Sequence, residues 1–366
     1  MALTVVCAPD SFKESLTARE AGEAMARGVT RVVPGAAVSV VPMADGGEGT
    51  VHAVCDALGG ELIETDVTGP LGSRVRAHYA RAGELAVIES AQACGLDLID
   101  PADRDAMVAT TRGVGEIIAH AIDGGAKRIL IGLGGSATTD GGAGLLQGLG
   151  ARITTRDGSP IGPGGVGLRD VAAVELPDLG DVTLRVACDV DNPLTGEHGA
   201  AAVFGPQKGA TPEQVAELDE LLADFAALID DACPTTPGAG AAGGMGFALL
   251  ALGASLEPGV EIIAEAVHLL EKFSGADLVI TGEGRIDAQT LHGKTPAGVA
   301  KVARAAGAAV LVCAGDVCDE DALAELFDGI IPITSRPCTT EEAMAAAADN
   351  LEAAVARAMR LIQLTL

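Results

Sequence analysis

The stretch ILIGLGGSATTDGGAGLLQGLG, from Ile129 to Gly150, decides the reading of this chain. An apolar run of strand length, Ile129 to Leu133, empties into glycines, hydroxyls and one acid, then into a helix-competent segment. A strand, a glycine-rich turn and a helix in that order bring bare backbone N–H groups and a helix start up to an anion, usually a phosphate. Gly132-Leu133-Gly134-Gly135-Ser136-Ala137 satisfies G-x-G-x-x-A, and Asp157 lies downstream at roughly the spacing of a dinucleotide-binding acid. That fingerprint leaves Thr138-Thr139-Asp140-Gly141-Gly142 unexplained. No G-x-x-x-x-G-K-[ST] occurs, which excludes a P-loop NTPase. Gly134, Gly135, Ser136, Thr138 and Thr139 suit a phosphate, with Asp140 near a cation or a substrate hydroxyl. Glycines serving only close helix–strand packing are the structural alternative.

Outward from this segment the same rhythm repeats. Strand-length apolar runs occur at Leu3–Cys7, Val38–Val41, Leu85–Glu89, Leu184–Cys188, Leu278–Thr281, Ala309–Cys313 and Ile330–Ile333. Helical patterns lie between most of them. Thr17-Ala18-Arg19-Glu20 reads as a capping box. Thr211-Pro212 and Thr295-Pro296 are helix starts with proline in the first turn, and a last helix is expected from Thr340 to about Ile362 on a Met344, Leu351, Val355, Met359 stripe. Alternating strands and helices predict an α/β fold with largely parallel sheet. Between Thr65 and Leu179 short strands and turns interrupt that rhythm. We therefore expect one domain built from both chain ends, residues 1–66 plus 276–366, and an inserted α/β domain over 67–275.

The 366 residues are 48% hydrophobic but only 2% aromatic, with no Trp, so the core must be built from Ala, Val, Leu and Ile. No apolar run approaches the roughly 20 residues of a membrane span. The start at Met1 leads straight into an apolar strand without a basic region, which predicts a cytoplasmic protein with no signal peptide. Net charge of −27 argues against nucleic acid and against an anionic membrane surface, both of which need basic patches. Eight cysteines without a C-x-x-C pair read as small buried hydrophobes rather than zinc ligands.

Four further loops carry chemistry. Ala8-Pro9-Asp10-Ser11-Phe12-Lys13 follows the first strand, and ligands of open α/β sheets gather at the carboxyl ends of strands. Pro42-Met43-Ala44-Asp45-Gly46-Gly47-Glu48 offers acids beside glycines that permit close backbone approach. Asp189 and Asp191 follow a buried-looking strand, and two carboxylates so near each other call for a cation or a shared proton. Lys208, in Gly205-Pro206-Gln207-Lys208-Gly209, can offset that charge. Thr281-Gly282-Glu283-Gly284-Arg285-Ile286-Asp287 and His292-Gly293-Lys294-Thr295-Pro296 contribute Arg285 and Lys294, two of the few bases among these glycine-rich loops, and Lys294 stands beside a helix start. PGAGAAGGMG, Pro237 to Gly246, also opens a helix.

In order along the chain, APDSFKESLTA, PMADGGEGT, GLGGSATTDGGAG, ACDVDNPL, FGPQKGAT, PGAGAAGGMGFAL and ITGEGRIDAQTLHGKTP resemble the type-1 glycerate kinase family of bacteria. The strings span Ala8 to Pro296. Singly each is weak; as an ordered set they are specific. The resemblance implies ATP-dependent phosphorylation of D-glycerate at the 2-hydroxyl, with Mg²⁺. It also implies two α/β domains, one flavodoxin/Rossmann-like and one likened to restriction-enzyme folds.

Side-chain chemistry then suggests roles. Gly134, Gly135, Ser136, Thr138 and Thr139, with Gly282 and Glu283, would hold the nucleotide. Asp189, with Asp191 or Glu283, would hold Mg²⁺. Lys13, Arg285 and Lys294 would meet the glycerate carboxylate and the γ-phosphate, and Asp10 or Asp45 would accept the hydroxyl proton. The rivals are an NAD-dependent dehydrogenase using the G-x-G-x-x-A turn and a non-catalytic sugar-acid sensor. Self-association into a homo-oligomer stays open.

Overall fold

The computed structural model describes residues 3–363; Met1, and with it the reading of the chain's start, lies outside the described residues. The fold is α/β with parallel sheets and helices, as expected. The chain divides into two compact units. The first comprises Met1–Asp45, His52–Gly60 and Gly259–Leu366, and the second Gly46–Val51 and Glu61–Pro258.

In the first unit five strands form one wholly parallel sheet. Across it they run Gly329–Pro332, Ala309–Val317, Leu278–Ile286, Thr4–Cys7 and Ala37–Val40. Numbered along the chain, that order is 2-1-3-4-5, one of the common doubly wound orders. Its switch point lies between Thr4–Cys7 and Leu278–Ile286, where successive connections leave in opposite directions. The central strands are buried because Val5, Val6, Val279, Ile280, Val310 and Val312 are apolar on both faces. Helix Ala18–Val32 opens with the predicted capping box between Thr17 and Glu20. It packs Met25 and Val29 into a core shared with Leu351, Val355 and Met359 of helix Ala347–Gln363. The single last helix expected from the stripe is two helices, Thr340–Ala345 and Ala347–Gln363. Met344 accordingly leaves the core stripe and lines a cavity.

The second unit holds a six-stranded sheet that follows the chain in sequence: Glu61–Thr68, Arg74–Ala82, Leu85–Glu89, Arg128–Gly132, Thr183–Ala187 and Ser255–Glu257. The first three strands form an antiparallel meander and the last four run parallel. Arg152–Thr155 and Val171–Glu175 form a separate two-stranded ribbon. The Pro237 to Gly246 segment does open a helix, Ala241–Ala251, but through Ala242, Gly243 and Gly244 in left-handed conformation. At Gly243 (φ 71°) a side chain would strike the Thr138 carbonyl, so this turn is the floor on which the Thr138–Thr139 backbone rests.

Candidate active site

Loops at the carboxyl edge of the first unit's sheet bring three acids together. Asp10 follows the first strand, Asp45 follows the second, and Glu283 lies within the carboxyl half of the third. The Asp10 N–H donates to the Gly282 carbonyl (2.9 Å), which ties the Asp10 loop across the switch point. Asp10 accepts from the Ser11 N–H (2.6 Å) and from the Thr295 hydroxyl. Burial, and then the nearby Asp45 charge, push the Asp10 carboxyl up to about 7. Glu283 is raised to about 7 as well, by burial first; Lys294 opposes the rise, while Asp10 and Asp45 add to it. Asp10 and Glu283, raised in this way, exchange a proton near neutral pH, the range in which a proton acceptor for an alcohol works best.

Lys294 and Arg285 stand beside these acids. The Lys294 ammonium lies 3.7 Å from both Glu283 and Asp287 and donates to the Arg285 carbonyl at 3.5 Å. Arg285 lies 3.5 Å from Asp287 and 3.6 Å from Asp316. Both bases are therefore partly neutralised by protein carboxylates. Gly282 is buried inside its strand, where a side chain would meet the Cys313 carbonyl; its lack of a Cβ serves strand packing. A cavity of about 700 Å³ opens at the same edge, lined by Phe12, Lys13, Arg285, Ile333, Arg336 and Met344 among others. Neither Lys13 nor Arg336 has a carboxylate partner among the described residues. In so acidic a chain, two unneutralised cations on one cavity are a notable departure from the average surface. Arg336 escaped the sequence reading, because it follows a strand in a segment without glycine or acid.

The second unit gathers the glycine-rich loop. Gly134 and Gly135 are exposed, whereas Ser136, Thr138, Thr139 and Asp140 are buried. The loop is pinned to the segment after Leu85–Glu89: the Leu96 N–H donates to the Gly135 carbonyl (2.9 Å) and the Ala137 N–H to the Cys94 carbonyl (2.8 Å). The Thr139 hydroxyl is buried with no hydrogen-bond partner, and the Thr138 hydroxyl has only the weakly bonding Cys94 sulfur near it. Buried hydroxyls left this way are uncommon and point to a missing ligand. Asp140, expected near a cation or substrate hydroxyl, is wholly buried in internal service. It accepts from the N–H groups of Thr111 (2.9 Å), Gly142 (3.0 Å) and Gly144 (3.2 Å), and from the Thr111 hydroxyl (2.9 Å). Burial pushes its carboxyl pKa up, and those donors oppose the rise.

Lys208 also differs from expectation. Instead of offsetting Asp189 and Asp191 it is buried, with its ammonium donating to the Ser136 hydroxyl (3.2 Å) and the Thr138 carbonyl (2.6 Å). Asp189 and Asp191 are exposed on the loop after Thr183–Ala187, away from the buried Lys208 ammonium. Asp157 closes a surface turn by accepting from the Thr155 hydroxyl and the Ser159 N–H, the setting of a hairpin rather than of a ribose-binding acid. Among the described residues no group of three His, Cys, Asp or Glu side chains could by itself hold a metal ion, and no helix is long and apolar enough to cross a membrane.

The model of the glycerate kinase family matches residues 5–363. The chain belongs to the glycerate kinase family. It is 48% identical to the glycerate kinase of Bacillus subtilis (strain 168), over 96% of this chain and 95% of that protein. It is 45% identical to the glycerate 2-kinase of Escherichia coli (strain K12), over 100% of this chain and 98% of that one. The crystal structure of a chain assigned as glycerate kinase 2 from Salmonella typhimurium LT2 superposes with a TM-score of 0.91 at 45% identity, covering 100% of this chain and 99% of that one. Family membership extends the ordered-motif resemblance to nearly the whole chain.

Proposed function

We propose that this protein transfers the γ-phosphoryl group of ATP to D-glycerate, at the 2-hydroxyl, giving 2-phosphoglycerate and ADP. The observation that carries the phosphate assignment is the pair of buried threonine hydroxyls in a glycine-rich turn, Thr139 with no hydrogen-bond partner and Thr138 with only the weakly bonding Cys94 sulfur. With the N–H groups of Gly134, Gly135 and Ser136 they form a donor set for phosphate oxygens. Phosphoryl transfer asks a protein mainly for positioning and charge compensation, and these donors supply both without a signature lysine in the loop itself. A cytoplasmic enzyme, where ATP is available, goes with this reading.

Asp10 is the proton acceptor for the attacking hydroxyl in this account. Its raised pKa lets it hold or release a proton near neutral pH, and the Thr295 hydroxyl and Ser11 N–H keep its oxygens oriented. Asp45 tunes that acid through its charge, and Asp10 and Asp45 together raise Glu283. Lys13, Arg285 and Lys294 recognise the glycerate carboxylate and the transferring phosphate. Replacing Lys294 by alanine removes a cation from beside Glu283 and Asp287; we expect kcat/KM for glycerate to fall about tenfold. An unchanged kcat/KM would leave Lys294 as a structural contact of Glu283.

The donor chemistry fits Mg²⁺. This ion usually takes one or two carboxylates, substrate phosphates and several waters, so no protein cage is needed. Asp189, assisted by Asp191, offers exposed carboxylates for it; Glu283, half-buried and engaged by Lys294, suits the acid cluster better. When bound, the ion neutralises charge on the phosphate oxygens. Asp189→Asn should cut kcat by about 10²-fold at fixed Mg²⁺, partly restored by raising the ion concentration, in a protein that melts normally. Near-normal kcat would remove Asp189 from the site.

The function is tested by following ADP release with D-glycerate beside the absorbance of NAD(H) in the same mixture. Glycerate-dependent ADP release supports the kinase. A nicotinamide signal would favour a dehydrogenase, and calorimetric glycerate binding without product a sensor.

A further inference from the structure

Lys208 is a buried ammonium in a chain of net charge −27, yet among the described residues no carboxylate lies within ion-pair distance of it. Burying an unpaired charge is expensive, and such a group is seldom retained for stability alone. Its position suggests the compensation. An ammonium is donor-only, so the Ser136 oxygen must accept from Lys208, and the Ser136 proton then has to point elsewhere. No acceptor for that proton exists among the described residues. The second donation, to the Thr138 carbonyl, fixes the peptide that leads into Thr139. Behind a turn with two buried, poorly satisfied hydroxyls there is thus a fixed positive charge, delivered from Pro206–Lys208 rather than from the glycine loop itself.

We infer that Lys208 is a positioning residue for the nucleotide: it orients the Ser136 hydroxyl outward, clamps the Thr138 carbonyl, and supplies from behind the positive charge that the glycine-rich turn lacks. The inference rests on the reading of Gly134 to Thr139 as the phosphate loop. In that role Lys208 touches no substrate and acts through Ser136 and Thr138. It takes the electrostatic part that a loop lysine plays in P-loop proteins, from a different segment and at one remove.

The test compares Lys208→Met with Thr139→Val, measuring KM for ATP and for glycerate separately. Methionine keeps the length of the stem and removes the charge. We expect Lys208→Met to raise KM for ATP roughly tenfold or more and to leave KM for glycerate within about twofold. Thr139→Val should raise KM for ATP as well. If Thr139→Val raises it and Lys208→Met does not, the Lys208 role is wrong while the loop reading stands. If neither variant moves it, the loop reading and the inference fall together. A lower melting temperature with both KM values unchanged marks Lys208 as structural and overturns the inference.

Should Lys208→Met fail to fold, the parent's pH dependence decides. Burial lowers the Lys208 ammonium to about 8, and Cys94 and Asp140 are the titratable groups that face it. The Cys94 thiol is pushed up to about 12 and stays neutral below that. ADP affinity by calorimetry should weaken as pH rises through about 8 in the parent and stay flat in Lys208→Arg, whose charge persists. A decline that survives in Lys208→Arg belongs to another group and overturns the inference, as does a flat parent profile.

Discussion

Asp10→Asn should lower kcat by about 10²- to 10⁴-fold, the usual worth of a general base, with KM for ATP within about twofold. The isosteric amide keeps the hydrogen bonds to Ser11 and Thr295 possible but cannot take a proton. In the parent, kcat/KM for glycerate should rise with pH and level off above about 7, the value to which burial and Asp45 raise Asp10. Asp10 and Glu283 feel each other, so the inflection belongs to the cluster rather than to one residue. Stability should move the other way. The folded protein holds the Asp10 proton up to about 7, whereas the unfolded chain releases it near 3.8. Between those values the folded state binds more protons, so this group's contribution to stability is present below 3.8 and is lost as pH rises through 7. Asp10→Asn carries no such loss and should melt above the parent at pH 8, with the gap closing towards pH 4. A kcat within threefold of the parent would refute the assignment.

Asp140→Asn should destabilise the second unit by about 3 kcal/mol or more, because a buried acceptor of several charge-assisted hydrogen bonds is replaced by one whose amide end faces N–H donors. The N–H groups of Thr111, Gly142 and Gly144 then compete for a single oxygen. Since Asp140 anchors the end of the loop that carries Thr138 and Thr139, ATP affinity should fall with stability. Denaturant unfolding of parent and variant measures the first, and calorimetry with ADP the second. A loss under about 1 kcal/mol would show that the loop is held by its glycines and by Gly243 instead.

Much of the layout was legible because central parallel strands are continuous apolar runs. Leu85–Glu89 stands at its expected bounds, and the helix starts at Thr17 and Thr211 form the capping boxes their sequences allow. Asp10, Asp45 and Glu283 were legible as candidates for the same reason, since each follows an apolar run. The Glu61–Thr68 and Arg74–Ala82 strands were not read, because Arg76, Glu64 and Asp66 pair across an exposed face and mask the apolar alternation. The Leu278–Thr281 run proved to be the start of a strand reaching Ile286. Gly282 and Gly284 read as breaks in isolation, but the Gly282 gap admits the Cys313 carbonyl of the neighbouring strand. Lys208 was misread because a lysine between Gln207 and Gly209 looks solvated, and its burial depends on contact with Ser136, 72 residues away. Such contacts leave no local signature.

The central claim is phosphoryl transfer from ATP to one hydroxyl of D-glycerate. Its most direct test is to incubate the protein with D-glycerate, ATP and Mg²⁺ and to identify the organic phosphate by phosphorus and proton NMR. The account predicts ADP and 2-phosphoglycerate in equal amounts, both absent without glycerate. A different phosphorylated carbon would contradict the assigned regiochemistry, and ATP consumed only to ADP and free phosphate, or not at all, would contradict the transfer itself.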